Sequence, residues 1–304
     1  MNRFIFLLIL FSSKLYSQSE TLDFIEISEN AKISALGGNN ISLYENQNYF
    51  LTNPALISFN KNRISINHLN YILDINSSSI LYSDSIRYIG NYGIGIKYFS
   101  HGKFNAYDIF GNSLGNFYPK EIMITFGKSI NLSNLFIGTN IKYFKSRIYN
   151  NSNSGILSDI GMIYFPYKEK KLSIGLVIAN FGILFNKNNI ELPITLKIGT
   201  TFKPKYMPLR FSVTYVKPYN YLYNNLHNIS FGVEALMSKF INLQIGYNRN
   251  MDKGFVLPNS EKIRGFSYGI ELILKRFNFN YSKVIVNSIS SSNSISINFN
   301  IKRM

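Results

Sequence analysis

A chain of 304 residues with Lys+Arg 32 against Asp+Glu 16 has a net charge of +16, yet only 16% of its residues are charged, below the roughly 25% of a soluble domain. Cys is absent, which excludes disulfides, thiolate metal sites and thiol catalysis, and no run approaches the ~18–20 consecutive apolar residues of a spanning helix. With 22 Tyr, 25 Phe and abundant Ile, Asn and Ser, the composition suits strands.

The chain opens with Arg3 ahead of an unbroken apolar stretch, Phe4 to Phe11, followed by Ser12, Ser13 and Ser17. This is the layout of a secretory signal, so residues 1–17 are expected to be a signal peptide cut before Gln18. From 18 to 62 no period holds. Here Ala35-Leu36-Gly37-Gly38-Asn39-Asn40-Ile41-Ser42 precedes Asn53-Pro54-Ala55-Leu56. Gly37-Gly38 permits a turn closed to bulkier residues, and Asn53-Pro54 favours an extended or turn backbone. About forty residues are too many for a simple leader, and residues 18–62 are expected to fold inside whatever follows, as a plug.

From Arg63 to the end one theme recurs, an alternating segment and then a turn. Ile295, Ile297, Phe299 and Ile301 alternate with Ser296, Asn298, Asn300 and Lys302, and Ile241, Leu243, Ile245 and Tyr247 with Asn242, Gln244, Gly246 and Asn248. A strand puts each apolar series on one face, whereas a helix would scatter it. Strands are expected near 63–72, 77–84, 92–103, 121–130, 135–146, 155–165 and 172–180, then near 193–203, 209–217, 228–236, 241–250, 265–274, 277–286 and 293–302.

That is fourteen strands, an even number, joined by connections of alternating length. Short turns fall at 131–134, 166–171, 204–208, 238–240 and 275–276. Longer loops fall at 102–120, 147–154, 181–192, 218–227 and 251–264, and the first hairpin, at 73–76, is the exception. Outer-membrane barrels have short periplasmic turns and long external loops, so residues 63–304 are expected to form an all-β, transmembrane antiparallel barrel in the outer membrane. Closure follows because hydrocarbon leaves no partner for an open sheet edge. The apolar series would then face lipid and the Ser, Asn, Gly and Lys series the interior. Tyr143, Phe144, Tyr164, Phe165, Tyr247 and Tyr281, near strand ends, suit the interfacial girdles.

Little else suggests chemistry. His68, His101 and His227 lie in separate parts of the chain with no second ligand at metal spacing, and the Gly93-Ile94-Gly95 triplet sits inside a strand, where glycine eases close packing. No Gly-rich phosphate loop or nucleophile elbow occurs, so neither an enzyme, a cofactor nor a metal is expected. The basic residues are scattered, with Lys168-Glu169-Lys170-Lys171 the densest cluster. That distribution argues against nucleic acid, and leaves either a compositional bias or contact with an anionic lipopolysaccharide or an acidic partner.

The pairing of Ala35-Leu36-Gly37-Gly38 with Asn53-Pro54-Ala55 resembles the N-terminal hatch of the FadL-like outer-membrane transporter superfamily. Within it, Asn70-Tyr71, Asp74-Ile75-Asn76, Phe231-Gly232-Val233-Glu234, Gly246-Tyr247-Asn248 and Gly265-Phe266-Ser267-Tyr268-Gly269 are similar to the PorQ family of the type IX secretion system. The resemblance implies a hatch built on Gly37, Gly38, Asn39, Asn40, Asn53, Pro54 and Ala55. It also implies a non-catalytic barrel that docks an attachment complex, with a PorZ-like surface subunit and a PorU–PorV pair as partners. External loops such as Tyr107–Pro119 and Tyr219–His227 would then receive those partners. The alternative is a FadL-like transporter of hydrophobic small molecules. The chain departs from the pattern in its basic charge and in ending Ile301-Lys302-Arg303-Met304, where Phe299 stands in for a terminal aromatic.

Overall fold

Strict two-residue alternation leaves each strand with one face that prefers lipid and one that prefers polar partners, and a closed sheet satisfies both at once. The computed structural model describes residues 22–45, 47–149, 151–185, 192–219, 229–249, 264–287 and 290–301. Its strands are β1 (Arg63–Asn70), β2 (Asn76–Ile86), β3 (Gly90–Ser100), β4 (Phe104–Tyr107), β5 (Ser113–Phe117), β6 (Lys120–Leu132), β7 (Leu135–Ile148) and β8 (Asn151–Tyr164). They continue as β9 (Leu172–Leu184), β10 (Thr195–Phe202), β11 (Leu209–Pro218), β12 (Ile229–Leu236), β13 (Ile241–Asn248), β14 (Phe266–Ile273), β15 (Phe277–Ile285) and β16 (Ser291–Asn300).

Fourteen of these close into an antiparallel barrel in which β1 pairs with β2 on one side and with β16 on the other, while β4 and β5 form a separate hairpin. The seam runs in register from Arg63 opposite Asn300 to Asn70 opposite Asn293, so no strand is left with an open edge in hydrocarbon. Ile66, Ile80, Ile96, Phe126, Ile141 and Ile245 stand outward and exposed. Their chain neighbours Ser65, Asn67, Ser79, Lys97, Thr125 and Gln244 are buried within. An apolar skin on a sealed cylinder with a polar interior is the arrangement of an outer-membrane β-barrel. No helix among the described residues is long and apolar enough to cross a membrane, so the crossing is made by strands.

The sheet departs from its sequence reading in several places, and β9 runs on to Leu184 over residues expected to begin a loop at 181. Residues 147–154, expected as a long loop, are mostly strand. β7 and β8 stay paired as far as Ile148 opposite Asn151, and Tyr149 takes the positive φ of 50° that so tight a turn needs. Asn and Ser suggested a loop there, but the ladder continues: Asn153 is buried on the lumen side, where polar residues belong, while Ser152 and Ser154 share the outward phase of Ile156. The connection from β3 to β6 contains β4 and β5, too short and too aromatic to separate from loop by pattern. Phe144 and Phe165, assigned to the girdles, point inward and are buried. They occupy the polar-series phase of their strands because apolar residues from the N-terminal segment pack against them.

The barrel also carries one irregularity of register. Between Ser158 and Ile160 on β8 the partner residues skip from Phe181 to Ile178 on β9. Two residues of β9 therefore oppose one of β8, a β-bulge, and Asn180 takes a φ of 63° there. The bulge turns the Asn180 side chain inward beside Asp159.

Candidate functional site

Residues 22–45 and 47–62 lie within the lumen, packed against the strand wall. The segment contains a single 3-10 turn, Asp23–Ile25, a five-residue helix α1, Ala31–Ala35, and a 3-10 helix, Pro54–Phe59. None is long enough to be stable alone; each is held by the wall. α1 packs against β1 and β13 to β16, and the Pro54–Phe59 helix packs against β2, β3 and β6 to β8 on the opposite side.

Local chemistry explains both helix starts. Asn30 caps α1 by accepting from Ile33 N at 3.1 Å, and its amide donates to Asn67 Oδ1 on β1 at 3.1 Å. Asn53 caps the second by accepting from Ala55 N at 3.0 Å, and donates to Ile41 O at 2.9 Å and Met162 O at 3.2 Å. Pro54, which has no N–H to satisfy, then occupies the first helical position. α1 ends at Gly37 and Gly38, with φ of 89° and 81°, where Gly38 N reaches back to Ile33 O at 2.8 Å. Asn248 on β13 donates to Gly37 O at 2.9 Å.

The motif residues therefore lie inside the barrel, but as two groups rather than one. Gly37, Gly38 and Asn39 line an opening at the end of the barrel away from where β1 begins and β16 finishes. Asn40 turns the chain by accepting from Ser42 N and Leu43 N at 3.1 and 2.9 Å. Asn53, Pro54 and Ala55 sit against β7 and β8, with Ala55 in an apolar cluster with Leu56, Phe136, Ile163 and Phe165. Of the histidines, His68 bonds Ser78 on the outside and His101 bonds Glu121 at 3.1 Å. His227 and the signal region 1–17 lie outside the described residues.

The wall accommodates the segment through glycine. Gly93 faces Gly127, Gly138 faces Gly161, Gly175 faces Gly199 and Gly232 faces Gly246 across neighbouring strands. A methyl group at Gly138 would overlap the Pro54 carbonyl, one at Gly161 the Asn53 amide, and one at Gly246 the Gly37 nitrogen. These are sites of close backbone approach, and together they form slots for the segment.

The strongest attachment is ionic, and sequence pattern did not reveal it. Lys32 of α1 is fully buried, and its Nζ lies 2.5 Å from Glu45, 2.6 Å from Glu234 of β12 and 2.7 Å from Glu271 of β14. Arg210 of β11 bridges Glu45 and Glu234. Glu271 also accepts from Gln47, Asn242 and Asn278, so the remaining lone pairs are filled, which a buried charge requires. Burial pulls the Lys32 ammonium down, but the three carboxylates outweigh it and hold it well above the ordinary lysine range. Burial pushes Glu45 up, and Lys32 and Arg210 overcome it to hold the carboxyl down at about 2. Three carboxylates within 4.8 Å of one another have the spacing of a metal site, but the Lys32 ammonium already occupies the point a cation would take. A second pair, Lys97 with Glu29 at 2.5 Å, ties β3 to the segment, and Lys142 with Asp159 at 2.7 Å sits by the bulge. The only sequence signal for the first cluster was an acid on an inward polar series, at Glu234 and Glu271, in a chain poor in acids.

Three spaces lie among the described residues around the segment. A central cavity of about 50 Å³ has Ile25, Leu51 and Met123 on its walls with Lys97, Lys142 and Lys197. An opening of about 480 Å³ lies beside Gly37–Asn39 and Tyr71. A vestibule of about 590 Å³ lies at the end carrying the termini of the barrel. Between them Tyr44, Phe59, Phe136 and Phe165 pack ring on ring, with Lys170 Nζ 5.3 to 5.7 Å above three of the rings.

No family model and no curated protein matches the sequence. Among solved structures the chain is similar to the TodX monoaromatic hydrocarbon channel in its deltaS2S3 mutant, at 12% identity and a TM-score of 0.58 over 91% of this chain and 100% of that one. The deltaS2 mutant of TodX gives 13% and 0.55 over 90% and 97%. A Pseudomonas aeruginosa FadL homologue gives 9% and 0.51 over 90% and 98%. At these identities the likeness establishes architecture, and the chain has the fold of the FadL-like outer-membrane barrels.

Proposed function

We propose that this barrel is a non-catalytic, outer-membrane subunit of a type IX secretion system, serving as a platform on which surface-attachment subunits of the PorZ and PorU–PorV kinds dock. The observation that carries the reading is the filled lumen. Residues 22–62 are bonded to opposite walls and leave a central space of about 50 Å³, smaller than the ~300 Å³ of a small ligand pocket. A barrel so occupied serves as an anchor, and the partner-facing surface then lies in its loops. The β4–β5 hairpin suits that role, since it holds Tyr107, Ile109, Phe110 and Leu114 exposed. Its turn is fixed by Asp108, which accepts from Phe110 N, Asn112 N and Asn112 Nδ2 at 2.8 to 2.9 Å. Resemblance of the Ala35–Ser42 and Asn53–Leu56 stretches to the PorQ family supplies the choice of machine. Affinity capture of the tagged protein from mild detergent tests this. Co-purification of secretion subunits, lost when the hairpin is replaced by a short turn, is the expected result.

A FadL-like transporter of hydrophobic small molecules is the second reading. It is favoured by the mixed apolar and lysine walls of the central cavity beside the β8–β9 bulge, and by neighbours that include a hydrocarbon channel. Loss of fatty-acid uptake on deletion of the gene, with no secretion subunits recovered, would select it.

A further inference from the structure

The six turns between β2 and β3, β6 and β7, β8 and β9, β10 and β11, β12 and β13, and β14 and β15 all lie at the end of the barrel where β1 begins and β16 finishes. By the orientation usual for an even-stranded barrel this is the periplasmic end. Its turns carry Arg87, Lys168, Lys170, Lys171, Lys203, Lys205, Lys239, Lys275 and Arg276, against one acid, Glu169, which pairs with Lys171. The opposite end mixes signs among the described residues, with Asp74 and Asp108 alongside Lys103, Lys145 and Arg147.

Inside this basic ring is the vestibule of about 590 Å³, whose cations are Arg63, Lys170, Lys275 and Arg276. None of the four has a carboxylate partner among the described residues. Arg63 projects from β1 into the lumen mouth, and its buried Nε has no hydrogen-bond partner, an orphan donor that costs stability unless a ligand fills it. The vestibule's own acids, Glu45 and Glu271, are already engaged by Lys32 and Arg210. Between the charges the walls mix the apolar surfaces of Tyr44, Phe59, Ile273 and Leu274 with the amides of Gln47, Asn242, Asn278 and Asn300.

We propose that this vestibule is a docking site for an acidic peptide segment of a periplasmic partner, with carboxylates received by Arg63, Lys275 and Arg276 and apolar side chains laid on Phe59 and Leu274. Three features select that ligand. Unpaired cations require an anion, and Arg offers carboxylate a two-pronged donor. The volume lies within the ~300–1,000 Å³ range of organic-ligand pockets, and far exceeds what inorganic phosphate needs. The site lies inside the strand wall, where a phospholipid headgroup of the surrounding leaflet does not reach. The ring of turn lysines outside it would steer an acidic surface toward the mouth.

The test uses the full chain in detergent and a fluorescent hexapeptide of alternating Glu and Leu, read by anisotropy against ionic strength. Saturable binding is expected, weakened about tenfold or more by Arg63→Gln and by Lys275→Gln with Arg276→Gln, the loss of charge-assisted hydrogen bonds. Lys275 and Arg276 sit in an exposed turn, so heat-modifiable gel mobility should be unchanged in that double variant. Lys103→Gln with Lys145→Gln removes the same net charge at the far end and should leave binding intact. The proposal fails if binding does not saturate, or if the far-end pair weakens it equally, which would mark diffuse charge attraction. It also fails if millimolar phosphate displaces the peptide, or if vesicles of anionic phospholipid compete for it.

Discussion

Lys32 is shared by three carboxylates that the fold brings within touching distance, and among the described residues Arg210 is the other cation paired with them. Lys32→Met would keep the volume and leave Glu45, Glu234 and Glu271 repelling one another in a buried space. Breaking one side of a buried ionic cluster costs about 3–5 kcal/mol. The expected outcome is a lower midpoint in denaturant with the luminal segment cleaved by added protease, while Lys32→Met combined with Glu271→Gln recovers part of the loss. Acid acts through Glu45. Its carboxyl is held down at about 2 from an ordinary 4.5, so its contribution is complete above pH ~4.5 and is lost as the pH falls toward 2. The Lys32 contribution, from a group held above its ordinary value, is present throughout that range. Thermal stability in detergent should therefore fall between pH 4.5 and 2 in the native chain, and fall less in Glu45→Gln. Glycine and proline residues announced this region in the sequence because they mark unusual backbone. The ionic cluster was silent there, since Lys32 and Glu45 lie in a stretch without period and their partners are more than a hundred and sixty residues away.

At the scale of elements, the paired glycines turn a barrel wall into a fitted socket. Gly138→Ala places a methyl group on the Pro54 carbonyl and Gly161→Ala places one on the Asn53 side-chain amide, and overpacking of this kind costs about 1–3 kcal/mol. The expected phenotype is a displaced segment inside a barrel that still shows the compact gel form. Gly38→Val should behave alike for another reason: its surroundings are open, but valine at a φ of 81° is strained. Compact mobility with new protease cuts in residues 22–62 checks all three, and loss of the compact form would assign these glycines to barrel assembly instead. The strands themselves were legible because their alternation has no competing interpretation over eight or more residues. Residues 151–154 and the inward Phe144 and Phe165 were not. The two phenylalanines followed the interior contents of the barrel, which came from a part of the chain with no pattern to read, whereas Ser152 and Ser154 put polar residues on the outward face near a strand end. The bulge at Asn180 was hidden too, since one added residue changes phase without changing composition.

For the whole molecule, the fold follows from the count and spacing of strands, and both were available from the chain alone: fourteen segments and alternating connections predict closure before any coordinate is known. How the cylinder is filled was legible only in outline, as forty residues with nowhere else to go. Its occupancy has an electrical consequence. In planar bilayers the full chain should show little steady conductance, whereas deletion of residues 22–62 should open a polar channel. An open full-length chain would contradict a lumen held shut by Lys32 and the glycine slots. The excess positive charge also acquires a location, because the turns at one end carry much of it and only one acid.

The meeting of β1 with β16 is the one place in the cylinder where two neighbouring strands are not consecutive along the barrel's own path of the chain. Asn30 grips Asn67 on one flank, and the next residue, Ala31, donates its N–H to Ser296 on the other at 2.8 Å. The first helical turn of the interior segment is thus a rivet through the fault line between the first and last staves.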